Sequence, residues 1–233
     1  MIPWLDHSNA FPALANALSE PNGLLAAGGD LSPSRILAAY QRGIFPWFMP
    51  DEPILWWSPS PRMVLMTAEL KVPKSLAKVI RNRPYTVRFD TAFASVMQGC
   101  AAPRGDEPGT WISDDMLKAY TALHEGGFAH SFECWMDGEL AGGLYGIAIG
   151  KMFYGESMFA RRADASKIAF VHAVQWLRKQ GFLMIDCQMH TEHLARFGAY
   201  EIEREEFIAK LNELIAQPGL MGSWQYANDD GCS

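Results

Sequence analysis

The chain has 233 residues, 49% of them hydrophobic, and carries a formal charge of −6 at pH 7. That length fits one large domain or a small one joined to a medium one, and the apolar share supports a sizeable core, which excludes a largely disordered protein. The acidic balance argues against indiscriminate nucleic-acid binding, while no stretch reaches the apolar length of a membrane span and no secretory leader opens the chain.

The run from Glu20 to Leu65 is dense in glycine, proline and tryptophan. Gly23, Gly28, Gly29 and Gly43 open backbone angles closed to other residues, and Pro46, Pro53, Pro59 and Pro61 fix φ and remove donors. Trp47, Trp56 and Trp57 add flat apolar faces, so this segment reads as a rigid aromatic surface rather than a core. Within it, one short helix is expected over Ser34–Arg42, started by Pro33 and stopped by Gly43. From Met63 the pattern becomes ordinary α/β. Helices are expected over Lys74–Asn82, Ala92–Cys100 and Ser113–His124, the last with Ser113 as N-cap, and a strand over Tyr85–Phe89. Three successive strands follow, at Ala129–Met136, Glu139–Ile149 and Lys151–Met158, with Asp137-Gly138 as a hairpin turn. A long helix over Ala165–Gln180 buries Phe170, Ala173, Val174 and Leu177, then Phe182–Gln188 reads as a strand and Glu205–Ala216 as a helix. The tail after Gln217 reads as loosely held. This order predicts an α+β fold, with a small domain at 1–62 and a larger one at 63–233.

In the strand ending Asp186-Cys187-Gln188, alternation places Asp186 and Gln188 on one face and Cys187 on the other. A carboxylate beside an amide can form a hydrogen-bonded pair, although two polar residues facing solvent at a strand end are the plainer reading of the residues alone. Glu156 lies in an apolar strand and must be paired or serve a ligand, with a salt bridge to Arg161 or Arg162 as the plain alternative. Lys71, Lys74, Lys78, Arg81, Arg83 and Arg88 face only Asp90 within residues 71–90. Lys74, Lys78 and Arg81 share one helix face, which is either solvated surface or a phosphate-binding stripe. Cysteines 100, 134, 187 and 232 form no framework and suit a reducing cytoplasm. Cys187-x-x-His190-x-x-His193 lacks a fourth ligand for zinc, His172 reads as a packed histidine, and Gly28-Gly29-Asp30 is no phosphate loop.

The segments EPNGLLAAGGDLSP, GIFPWF, PILWWSPSPR, GTWIS, FYGESMF and IDCQ, in that order, resemble the bacterial leucyl/phenylalanyl-tRNA–protein transferases from about Phe11 to about Ile202. The resemblance implies an acetyltransferase-like (GNAT) fold for the larger domain and a cytoplasmic enzyme without a cofactor or metal. It implies transfer of Leu or Phe, and less well Met, from aminoacyl-tRNA to proteins beginning with Arg or Lys, which marks them for degradation by the N-end rule pathway. By the same resemblance Asp186, Gln188 and Glu156 are catalytic, with Asp186 orienting and polarising Gln188. Leu144, Met158, Phe170, Ala173, Leu177 and Ile185 match donor-pocket positions, while Trp47, Trp111, Tyr40 and Phe153 suit the terminal adenosine. Lys71, Lys74, Lys78, Arg81 and Arg83 would then hold tRNA phosphates. Two other readings compete. An acetyl-CoA-dependent N-acetyltransferase would need a glycine-rich turn where this chain has Met158–Asp164, without glycine. A non-catalytic tRNA-binding module leaves the three polar residues without a purpose.

Overall fold

The computed structural model describes residues 2–103, 111–224 and 226–228. Its N-terminal part contains β1 (Trp4–Leu5), β2 (Leu24–Gly28), α1 (Pro33–Tyr40), β3 (Phe45–Pro46) and β4 (Leu55–Trp57). Pro33 occupies the first turn of α1, and Gly43 ends the segment with φ +72°, a conformation open to glycine. These strands form a four-stranded sheet in the order β1-β2-β4-β3.

The rest runs β5 (Arg62–Met66), α2 (Lys74–Asn82), β6 (Thr86–Phe89), α3 (Phe93–Ala101), α4 (Asp114–Glu125), β7 (Ala129–Met136), β8 (Glu139–Ile149) and β9 (Met152–Ala160). Then come α5 (Ala165–Lys179), β10 (Met184–Gln188), α6 (Glu192–Ala195), β11 (Tyr200–Ile202), α7 (Arg204–Ile215) and β12 (Tyr226–Asn228). Local chemistry sets several of these bounds. Ser113 caps α4 by accepting from the Met116 N–H, and the β7–β8 turn puts Asp137 and Gly138 at φ +52° and +78°, as a two-residue hairpin turn requires.

The eight-stranded sheet has the order β11-β5-β10-β9-β8-β7-β6-β12. Its pairs are antiparallel except β9 with β10, which is parallel and therefore needs a crossover, supplied by α5. Both faces are covered. Tyr145, Ile147 and Ile149 of β8 join a core with α3, α4 and the N-terminal sheet, while Leu144 and Ala148 join one with α5. This two-sided burial explains why β8 reads as a nearly continuous small and apolar run.

Two sequence expectations change here. Trp56 is fully buried, packed edge-on against Phe11 at 5.0 Å with Nε1 donating to the Gly28 carbonyl, so the aromatic segment is partly core after all. The stretch after Gln217 is not loose where it is described. Trp224 is 5% exposed, stacks on His130 and donates its backbone N–H to Asp90 Oδ2, and β12 adds to the sheet edge.

Candidate active site

The strands β9 and β10 pair only as far as Tyr154 and Asp186. Beyond that point β9 stays with β8 alone, and the parting strands open a cavity of about 410 Å³. A register shift in each strand falls at this point. On β9, Tyr145 faces Ser157 and Gly146 faces Gly155, which leaves Glu156 as the extra residue of a bulge. On β10, Asp186 faces Val64 and Gln188 faces Met63, which makes Cys187 the extra residue and puts Gln188 at φ +61°. Both bulges re-aim side chains that strict alternation would send elsewhere.

Glu156 and Gln188 consequently meet. Gln188 Nε2 donates to Glu156 Oε1 at 3.1 Å. From beneath, the Tyr40 hydroxyl donates to Oε1 at 2.6 Å and the Tyr120 hydroxyl to Oε2 at 3.1 Å. Both tyrosines are fully buried, and Tyr40 is steadied further by the Tyr154 hydroxyl on its carbonyl. Burial disfavours the charge on Glu156 and raises its pKa to about 7, although the two phenolic hydrogen bonds pull the other way. The alternative salt bridge from Glu156 to Arg161 or Arg162 does not form. Arg162 pairs with Asp137 and Glu139, and Arg161 donates to the Leu140 carbonyl.

Asp186 also differs from expectation. Its carboxylate is fully buried and does not touch the Gln188 amide; Oδ1 accepts the Gln188 backbone N–H at 2.9 Å. Its main partner is Arg62, whose Nε and Nη2 reach Oδ1 at 2.8 Å and Oδ2 at 2.7 Å. Glu156, rather than Asp186, therefore orients the Gln188 side chain. Cys187 packs against the α5-side core and lines the cavity as well, its thiol pKa raised by burial.

Leu144, Phe153, Met158 and Ile185 line the cavity from the sheet, and Phe170, Ala173 and Leu177 line it from α5. Trp47 and Trp111 lie at its rim, Trp47 being 43% exposed and packed edge-on against Trp57 at 5.7 Å. Tyr40 is not part of this lining, because its hydroxyl is spent beneath Glu156. Lys71, Lys74, Lys78, Arg81 and Arg83 are all exposed, and α2, which carries three of them, packs on the cavity helix α5. Among the described residues no His, Cys, Asp and Glu cluster could hold a metal ion.

Comparison with known proteins fits this layout. A profile of the leucyl/phenylalanyl-tRNA protein transferase matches residues 64–212, and one of that protein's N-terminal domain matches residues 29–60. A curated leucyl/phenylalanyl-tRNA–protein transferase of Chromobacterium violaceum is 62% identical over 97% of each chain. That of Nitrosospira multiformis is 62% identical over 92% of this chain and 93% of its own.

The chain belongs to the leucyl/phenylalanyl-tRNA protein transferase family.

A third transferase of the family, from Laribacter hongkongensis, is 57% identical over 98% of each chain. Among solved structures, a functionally unknown conserved protein from Staphylococcus epidermidis aligns with 61% of this chain and 57% of its own at 9% identity and a TM-score of 0.42, a likeness that assigns no fold. Two residues of this transferase site escaped the sequence reading: Arg62 and Tyr120. The signal for Arg62 was chemical, since a carboxylate placed in an apolar strand demands a cation, but nothing local says which one. Tyr120 lies in an amphipathic helix and reads there as ordinary core.

Proposed function

We propose that this protein transfers leucine or phenylalanine, and less well methionine, from aminoacyl-tRNA to the α-amino group of proteins beginning with Arg or Lys. The product is a degradation signal read by the N-end rule pathway, and the setting is the cytoplasm; no helix among the described residues is long and apolar enough to cross a membrane. The observation that carries the reading is the Glu156–Gln188 pair in the wall of a largely apolar cavity that is large enough to admit such a side chain.

The chemistry follows from that pair. The donor ester is already activated, and an acceptor α-amine has an ordinary pKa near about 7.7–8.0, so part of it is neutral at neutral pH. The amine nitrogen attacks the ester carbonyl and the resulting tetrahedral centre expels the terminal ribose oxygen. Glu156, with a pKa of about 7, is matched to take the proton the amine loses and return it to that oxygen. Gln188, its amide nitrogen held by Glu156, offers its oxygen to a second amine hydrogen. Asp186 acts through the backbone of Gln188. A carboxylate at the cavity also suits a cationic acceptor side chain. Leu144, Met158, Phe170, Ala173, Leu177 and Ile185 would receive the donor side chain, with Phe153 beside them. Trp47 and Trp111 would stack on the terminal adenosine, and the basic face of α2 with Lys71 and Arg83 would meet the acceptor stem.

The antiparallel β7–β8–β9 meander, the α5 crossover and the parallel β10 support an acetyltransferase-like (GNAT) layout for residues 63–233, with residues 1–62 as a separate small domain forming one wall. Acetyl-CoA is disfavoured as the donor: α5 opens on Asp164, whose carboxylate pairs with Lys167 where a pyrophosphate would need bare amides.

Incubation with Leu-tRNA and an Arg-starting peptide, followed by mass measurement, tests the reading. A gain of one leucine residue is expected. No gain, with a Phe-tRNA control also negative, would refute it.

A further inference from the structure

We infer that Arg62 is a positioning residue for the transfer reaction: by clasping Asp186 it sets the backbone that aims Gln188 at Glu156, and with the same guanidinium it ties that strand to the segment carrying Trp47. This rests on the transfer reaction proposed above.

Three observations lead there. Arg62 is 1% exposed, and its guanidinium makes directional bonds on three sides. Nε and Nη2 grip both oxygens of Asp186, and Nη1 donates to the Gly43 carbonyl at 3.2 Å. The rings of Phe45 and Phe207 lie 4.7 Å from its central carbon, which holds the group in place. Gly43 and Phe45 belong to the short stretch that leads to Trp47. One planar cation thus touches β10 and the stretch that leads to Trp47 together, which an ammonium with a single charged nitrogen cannot do.

The second observation is where Asp186 spends its remaining capacity. Oδ1 accepts the Gln188 N–H across the β10 bulge, where Gln188 has φ +61°, a region unfavourable for a residue with a Cβ. That bond holds an otherwise poor backbone shape, and the shape is what lets Nε2 reach Glu156. Asp186 can serve this purpose only while its carboxylate is fixed, and Arg62 fixes it.

The third is a matter of chemistry. A buried ion pair is weak support for stability, because an apolar pair of similar size packs about as well. Here the pair sits at the site, with Asp186 in the cavity wall two positions before Gln188, and adds an acceptor that an apolar pair lacks. Its location favours aiming Gln188 over holding the fold together.

The test compares the full-length wild type with Arg62→Met, Arg62→Lys and the double variant Arg62→Met/Asp186→Leu. Steady-state transfer from Leu-tRNA to an Arg-starting peptide and thermal melting are measured for each. Arg62→Met is expected to lose about 100-fold in kcat with KM for Leu-tRNA within about threefold, and Arg62→Lys to recover part of that loss. The double variant is expected to melt near the wild type yet turn over as slowly as Arg62→Met, which separates aiming from folding. The inference is overturned if Arg62→Met keeps kcat within about threefold of wild type, or, should that variant not fold, if Arg62→Lys or the double variant does so. Losses of kcat that simply track losses of melting temperature across the set would overturn it too. A wild type that transfers neither leucine nor phenylalanine would instead remove the reaction itself.

Discussion

The hydroxyl of Tyr40 donates a 2.6 Å hydrogen bond to Glu156 across 116 residues of chain. Tyr40 ends the first helix of the N-terminal part and Glu156 is the bulged residue of β9, so the bond joins the two parts of the molecule at a buried carboxylate in the cavity wall. With Tyr120 it opposes the effect of burial, and it keeps the pKa of Glu156 at about 7 rather than higher.

Replacing Tyr40 with Phe removes one donor to the carboxylate and leaves its burial unchanged. The pKa of Glu156 should therefore rise further. If Glu156 accepts the proton in transfer, the ascending limb of kcat against pH should move to higher pH by about one unit in Tyr40→Phe. A profile superimposable on that of the wild type would remove Glu156 from this role.

Stability should respond to the same group with a definite sign. The pKa of Glu156 is raised from an ordinary 4.5 to about 7, so between these values the folded protein holds more protons than the unfolded one. Stability then falls as pH rises through that window, by an amount on the order of 1–3 kcal/mol. Glu156→Gln cannot lose a proton. It should match the wild type in melting temperature near pH 4.5 and exceed it at pH 8; equal differences at both pH values would contradict this.

Ala173 and Phe170 both line the cavity from α5, Ala173 with the smaller side chain. Ala173→Leu should shorten the cavity and penalise the larger donor side chain. Transfer of Phe relative to Leu is expected to fall by at least about 10–200-fold in kcat/KM, the range a single methylene group commands in an apolar pocket. Competition between Phe-tRNA and Leu-tRNA measures it, and an unchanged ratio would place the donor elsewhere.

Lys74, Lys78 and Arg81 are exposed on α2, so their replacement by Gln should leave melting nearly unchanged. If they meet phosphates, each loss should flatten the slope of log affinity for tRNA against log salt by about 0.7–0.9. A triple variant with the wild-type slope would assign the acceptor stem to another surface.

Much of the framework was legible because its signals are local. Lys74–Asn82, Ala129–Met136 and Glu139–Ile149 have the bounds their patterns predict, and Ser113 and Asp137-Gly138 act as the cap and turn their chemistry suits. The motif segments also point to the family that comparison then established. Composition misled at Trp56 but not at Trp47. Both lie in the same Pro- and Trp-rich run, yet one is fully buried and the other 43% exposed, because burial depends on which elements fold against each ring.

The site's working geometry lay beyond such reading. A period-two pattern sends Asp186 and Gln188 to one face, but a bulge is a single extra residue that composition does not mark, and two bulges bring Glu156 and Gln188 together. The partner of Asp186 is Arg62, 124 residues away, and the two phenolic donors to Glu156 come from α1 and α4. What the sequence alone determined is the family and most of the elements that carry its polar and apolar candidates. Tertiary structure decided which of them touch: a buried carboxylate accepts whichever cation or phenol the packing of distant elements delivers, and that choice is made across the whole chain.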